Sequence, residues 1–135
     1  MSVNDSTAPA CLLSILELGG YPDFTSLYRS LGYEVVNMQS MRKALKFIKV
    51  NRVDVIVAEF NFQSDFRDRT SQLESLMASI AQMPHVRVLV FYDKEQDHQF
   101  KRVTSRFDFF ATLTYPIQPQ QLQHYLAEIS PTPLD

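Results

Sequence analysis

Val53-Asp54-Val55-Ile56-Val57-Ala58-Glu59-Phe60 is a nearly unbroken apolar run, rich in β-branched residues, that closes on one carboxylate. A run of this length and content reads as a strand buried on both faces, the centre of a parallel sheet. In open sheets of that kind, ligands and chemistry gather at the carboxyl ends of the strands. Glu59 stands at that end, so the search for function starts there.

Outward from this strand the chain alternates. Toward the amino terminus, Cys11 to Leu18 is an apolar strand broken by Gly19-Gly20, and Tyr21-Pro22-Asp23 leads into a helix with Phe24, Leu27, Tyr28 and Leu31 at helical spacing. Gly32 ends that helix where a left-handed cap is usual. Tyr33 to Met38 is the second strand, and Ser40 caps a helix whose inner stripe is Met41, Ala44, Leu45 and Ile48. On or beside its other side lie Arg42, Lys43, Lys46 and Lys49, read as a solvated face rather than a binding surface. After the central strand comes a polar, charged loop, Asn61 to Thr70. Ser71 and Glu74 then have capping-box spacing ahead of Leu73, Leu76, Met77 and Ile80. Val86 to Tyr92 is a fourth strand. Lys94 to Arg106 is polar, with only Phe100 and Val103 facing a core, and is expected to be the least firmly held helix. Phe107 to Tyr115 reads as the fifth strand, and Pro119 opens a last helix with Leu122, Tyr125, Leu126 and Ile129 inward. Strand–helix repeated five times, with right-handed crossovers, gives a doubly wound five-stranded parallel sheet with helices on both faces. Residues 1–10 are expected to be a loose tail, 11–130 the domain and 131–135 a short tail.

Composition narrows the function. The 135 residues suffice for one domain, and a net charge of −2 offers no electrostatic grip on nucleic acid or an anionic membrane. The apolar runs are strand-length, which excludes a membrane span, and no signal peptide is seen at the start. The single Cys11 fits a reducing cytoplasm. His85, His98 and His124 have no metal-ligand spacing, no Ser lies in a nucleophile motif, and no Gly-rich phosphate loop is present. No cofactor, no metal and no enzymatic activity are therefore expected.

Three pieces carry a resemblance: Leu31-Gly32-Tyr33-Glu34-Val35-Val36, Asp54 to Glu59, and Leu113-Thr114-Tyr115-Pro116-Ile117 followed by Pro119 and Leu122. In this order and spacing the chain resembles the CheY-like receiver domains of bacterial response regulators over nearly all of residues 11 to 129. The resemblance implies the flavodoxin/CheY-like strand order 2-1-3-4-5. It also implies a site that takes a phosphoryl group onto an Asp with Mg²⁺, a Lys pairing with the phosphate, and a Thr or Ser reporting its arrival. Matched position by position, the acceptor is Glu59 and the acid pair is reduced to Glu17. The Lys position holds Tyr115, before Pro116, with the cis peptide usual in the family. The Thr or Ser slot falls on Phe91 or Tyr92. Tyr115 with either aromatic would fill the space that phosphate and metal would occupy.

The resulting expectation is a non-phosphorylatable pseudo-receiver, a protein–protein interaction module of a two-component signalling pathway. Its partner would be a protein, with a homodimer left open and neither nucleic acid nor membrane involved. The family's common interaction face would draw here on Lys101, Arg102, Arg106, Gln121 and His124. Glu59 either mimics a phosphorylated Asp or is a solvated strand-end carboxylate; both readings stand. Two alternatives remain: an atypical receiver phosphorylated on Glu59 or Asp54, and a flavodoxin-like cofactor binder, for which Leu18 to Tyr21 is a poor phosphate loop.

Overall fold

The computed structural model describes residues 10–16, 21–60 and 72–129. Both tails, Glu17 with the Gly19-Gly20 break, the Asn61–Thr70 loop, the Ser71 cap and the Ser130-Pro131 stop lie outside the described residues. The elements in chain order are β1 (Cys11–Ile15), α1 (Thr25–Ser30), β2 (Glu34–Met38), α2 (Met41–Val50), β3 (Val55–Glu59), α3 (Gln72–Ser79), β4 (Arg87–Tyr92), α4 (Asp97–Thr104), β5 (Ala111–Thr114) and α5 (Pro119–Ile129). All the strand pairs are parallel and the order is β2-β1-β3-β4-β5. This is the doubly wound topology the sequence predicts.

Alternation along the strands divides the core. Leu12, Val55, Val57, Leu89, Phe91 and Leu113 face one side, against Tyr28 of α1 and Leu122 and Leu126 of α5. Leu13, Ile15, Ile56, Ala58, Val88 and Val90 face the other, against Met41, Ala44 and Ile48 of α2, Leu73 and Leu76 of α3, and Phe100 and Val103 of α4. Val55 to Ala58 are wholly buried, as a central strand of a covered sheet requires.

Local signals explain several boundaries. Gly32 sits at φ +93°, a conformation that costs a side-chain-bearing residue strain, and it lets the chain turn from α1 into β2. The Ser40 hydroxyl accepts the Lys43 N–H at 3.2 Å and caps α2. Asp93 accepts the Glu95 N–H at 2.8 Å and starts a short 3₁₀ turn, Lys94–Gln96, ahead of α4. At the amino end of β3, the Asp54 carboxylate accepts the Cys11 N–H at 2.9 Å and the Arg52 Nε–H at 3.0 Å, tying β3 to β1. Tyr33 donates its hydroxyl to the Leu126 carbonyl at 2.7 Å, fastening α5 to the start of β2.

One expected element is corrected. The fifth strand is Ala111–Thr114 and not Phe107 to Tyr115. Phe107 and Phe109 instead pack into the α2–α3–α4 side, Phe109 stacked on Phe100 with ring centres 6.0 Å apart, while Phe110 meets Tyr125 of α5 at 6.2 Å. Packing on opposite sides of the sheet sets these aromatics, and the hydrogen bonds to β4 begin at Phe110, whose N–H meets the Val88 carbonyl at 2.8 Å.

Tyr28 is 1% exposed, and its hydroxyl finds no hydrogen-bond partner among the described residues. A buried polar group without a partner costs about 1–3 kcal/mol of desolvation. Tyr28→Phe is therefore expected to hold or raise stability, by up to about 1 kcal/mol. A urea denaturation midpoint below that of the parent protein would contradict this.

Candidate functional site

Glu59 is the last residue of β3 and lies beside Phe91 of β4 in the parallel register. It has the parity of Val55 and Val57, so its side chain leaves the sheet on the α1–α5 side, as does that of Phe91. Glu59 is half-buried with Oε1 turned inward. Tyr92, one residue on, points the opposite way and packs on Phe100 with ring centres 4.4 Å apart. Of the two aromatics the sequence leaves open, Phe91 is the neighbour of Glu59.

Aromatic rings cluster at these strand ends. Phe91 is 0% exposed. Its ring meets Tyr21 at 5.3 Å and Phe24 at 6.0 Å, the latter edge-on. Tyr21 in turn meets Tyr115 edge-on at 5.6 Å. Tyr115 follows β5, is anchored by its N–H to the Tyr92 carbonyl at 2.9 Å, is 48% exposed and precedes Pro116 through a cis peptide bond.

The electrostatics agree with that packing. Burial pushes the Tyr21 phenol up to about 12, and the charges of Glu59, Asp93 and Tyr115 add to the rise. Among the described residues, no three His, Cys, Asp or Glu side chains are placed to hold a metal ion. Glu17, the remaining acid of the expected pair, lies outside the described residues.

Asp54 is at the other end of β3, about 16 Å from Glu59 along five strand residues. With one oxygen on a backbone N–H and the other on Arg52, it belongs to the strand's foot and not to the crevice. Two recesses, about 420 Å³ beside α4 and β5 and about 370 Å³ at the amino ends of β3 and β4, are lined without Glu59.

Of the expected interaction residues, three form ion pairs. Lys101 pairs with Asp97 within α4 at 3.5 Å, and His124 pairs with Glu128 within α5 at 3.1 Å. Arg102 and Gln121 are exposed. Arg106 turns away to Glu74 of α3 at 2.8 Å and lies over the Phe107 ring at 5.5 Å. His85 and His98 are exposed. The residues missed by sequence reasoning are Tyr21 and Phe24. Their signal was position: aromatics in the first strand-to-helix connection must lie over the strand ends.

No protein-family model matches the sequence, and no curated protein does. Solved structures do match in fold. A response regulator receiver protein from Sinorhizobium medicae superposes with a TM-score of 0.70 at 15% identity, over 90% of this chain and 94% of that one. The chemotaxis response regulator CheY4 of Vibrio cholerae gives 0.66 at 20% identity, over 90% and 99%. A response regulator receiver domain protein from Clostridium thermocellum gives 0.66 at 19%, over 89% and 93%. The chain has the receiver-domain fold; at these identities the likeness is one of fold.

Proposed function

We propose that this chain, built on the receiver fold, is a receiver-type interaction module of a cytoplasmic signalling pathway that works without accepting a phosphoryl group. The observation that carries the reading is the aromatic chain Phe91–Tyr21–Tyr115 at the strand end where Phe91 stands beside Glu59. Phosphoryl transfer to a carboxylate needs cations and donors preorganised around the phosphoryl oxygens, and loss of one such group typically costs ~3–4 kcal/mol of barrier. Here the fixed cation is replaced by Tyr115 and the reporting hydroxyl by a buried ring. Glu59 also carries one methylene more than Asp, which displaces its oxygens from where an Asp would hold them. In this reading the protein has no catalysis of its own, and output is set by a protein partner.

The test is to add beryllofluoride and Mg²⁺, which together mimic a phosphorylated carboxylate, and follow the amide resonances. The expected result is an unchanged spectrum. Saturable shifts at Glu59, Phe91 and Tyr115 would overturn the proposal.

A further inference from the structure

The most one-sided charge distribution lies away from the strand ends, on α2. Its ten residues, Met41–Val50, contain four cations and no carboxylate. Met41, Ala44 and Ile48 are buried against the sheet, while Arg42, Lys43, Lys46 and Lys49 are all exposed. Among the described residues none of the four forms an ion pair; the salt bridges present involve Arg52, Lys101, Arg106 and His124. Arg42, Lys46 and Lys49 recur once per turn, so the stripe runs about 10 Å along the helix. At its end Val50 stands 80% exposed. Like charges three and four residues apart repel along a helix, so 42/46, 43/46 and 46/49 all work against α2. The fold gains nothing visible from this arrangement.

We propose that the outer face of α2 docks an acidic helical segment of a partner protein, with carboxylates spaced one turn apart. Such a segment matches the spacing of Arg42, Lys46 and Lys49 and removes their mutual repulsion, and Val50 adds an apolar contact at one end. Nucleic acid fits less well: four of the 13 Lys and Arg sit on this helix while the chain as a whole is −2, so the remainder is net −6 and repels a phosphate backbone. A lipid surface fits less well too, because the apolar side of α2 is spent on the core. The docking does not depend on the state of Glu59, so it stands or falls separately from the beryllofluoride experiment.

The probe is a synthetic alanine-based helical peptide with Glu at every fourth position, titrated into labelled protein at low salt. Amide shifts are expected over residues 41–52. They should weaken at least tenfold in Arg42→Gln/Lys46→Gln/Lys49→Gln and persist in Lys101→Gln/Arg102→Gln. Lys46→Glu should melt a few degrees higher while binding the peptide less, a combination that a purely structural role for Lys46 would not give. Absence of shifts, shifts on another face, or shifts that survive the triple substitution would overturn the proposal. So would equal binding of duplex DNA or phosphatidylserine vesicles, or self-association through α2 seen by sedimentation.

Discussion

Phe91→Ala should cost about 3–5 kcal/mol of folding stability, the usual range for truncating a wholly buried Phe. Three features place it at the upper part of that range. Phe91 is in β4, paired directly with the central strand. Its side chain is 0% exposed. Its ring holds Tyr21 and Phe24, which attach the first strand-to-helix connection to the strand ends. Neighbours fixed by the sheet cannot collapse into the gap, so a cavity term adds to the lost burial. Tyr115→Ala, at a half-exposed residue on the rim of the same cluster, should cost far less. Urea unfolding of the two variants checks this. A loss below ~1.5 kcal/mol for Phe91→Ala would mean that the strand-end space is not a packed core. The variant would also open room beside Glu59 without supplying a cation, so it is not expected to gain phosphoryl acceptance.

Phe100→Ala should be about as damaging, about 3–5 kcal/mol, on the opposite side of the sheet. Phe100 is 2% exposed and is the hub of a second aromatic cluster, with Tyr92 at 4.4 Å, Phe60 at 4.9 Å and Phe109 at 6.0 Å. It is also one of only two buried side chains on α4, the other being Val103. Its loss should therefore do more than lower global stability. The amides of α4 should exchange with solvent well before those of β3, because Val103 would be the one buried side chain left on the helix. If α4 amides in the variant stay as protected as those of β3, the helix is held by something other than this ring.

What the sequence made legible, and what it hid, follows from the range of the interactions. Val55 to Ala58 could be read because burial on both faces leaves a continuous apolar signature in consecutive residues. Ser40, Gly32 and Pro119 could be read because caps and turn residues act within a few positions of themselves. The start of β5 could not, because Phe107 and Phe109 are apolar and β-prone yet packed against Phe100, and only their neighbours from other elements decide which. Phe91 and Tyr92 stayed ambiguous for a sharper reason: a shift of one residue sends a side chain to the other face, and register is a property of the pair of strands. Arg106 reads as a surface cation until Glu74, 32 residues away, is brought beside it. At the candidate site, the place of Glu59 at the end of the central strand was visible directly. The place of Tyr21 between Phe91 and Tyr115 was not, since it depends on contacts between residues far apart in the chain.

The most direct measurement is the intact mass of the protein after incubation with acetyl phosphate and Mg²⁺. An unchanged mass is what the proposed reading predicts, in which Tyr115 stands in place of the family's Lys and aromatic rings cluster at the strand end that carries Glu59. A covalent adduct of one phosphoryl group that disappears in Glu59→Gln or Asp54→Asn would contradict the account.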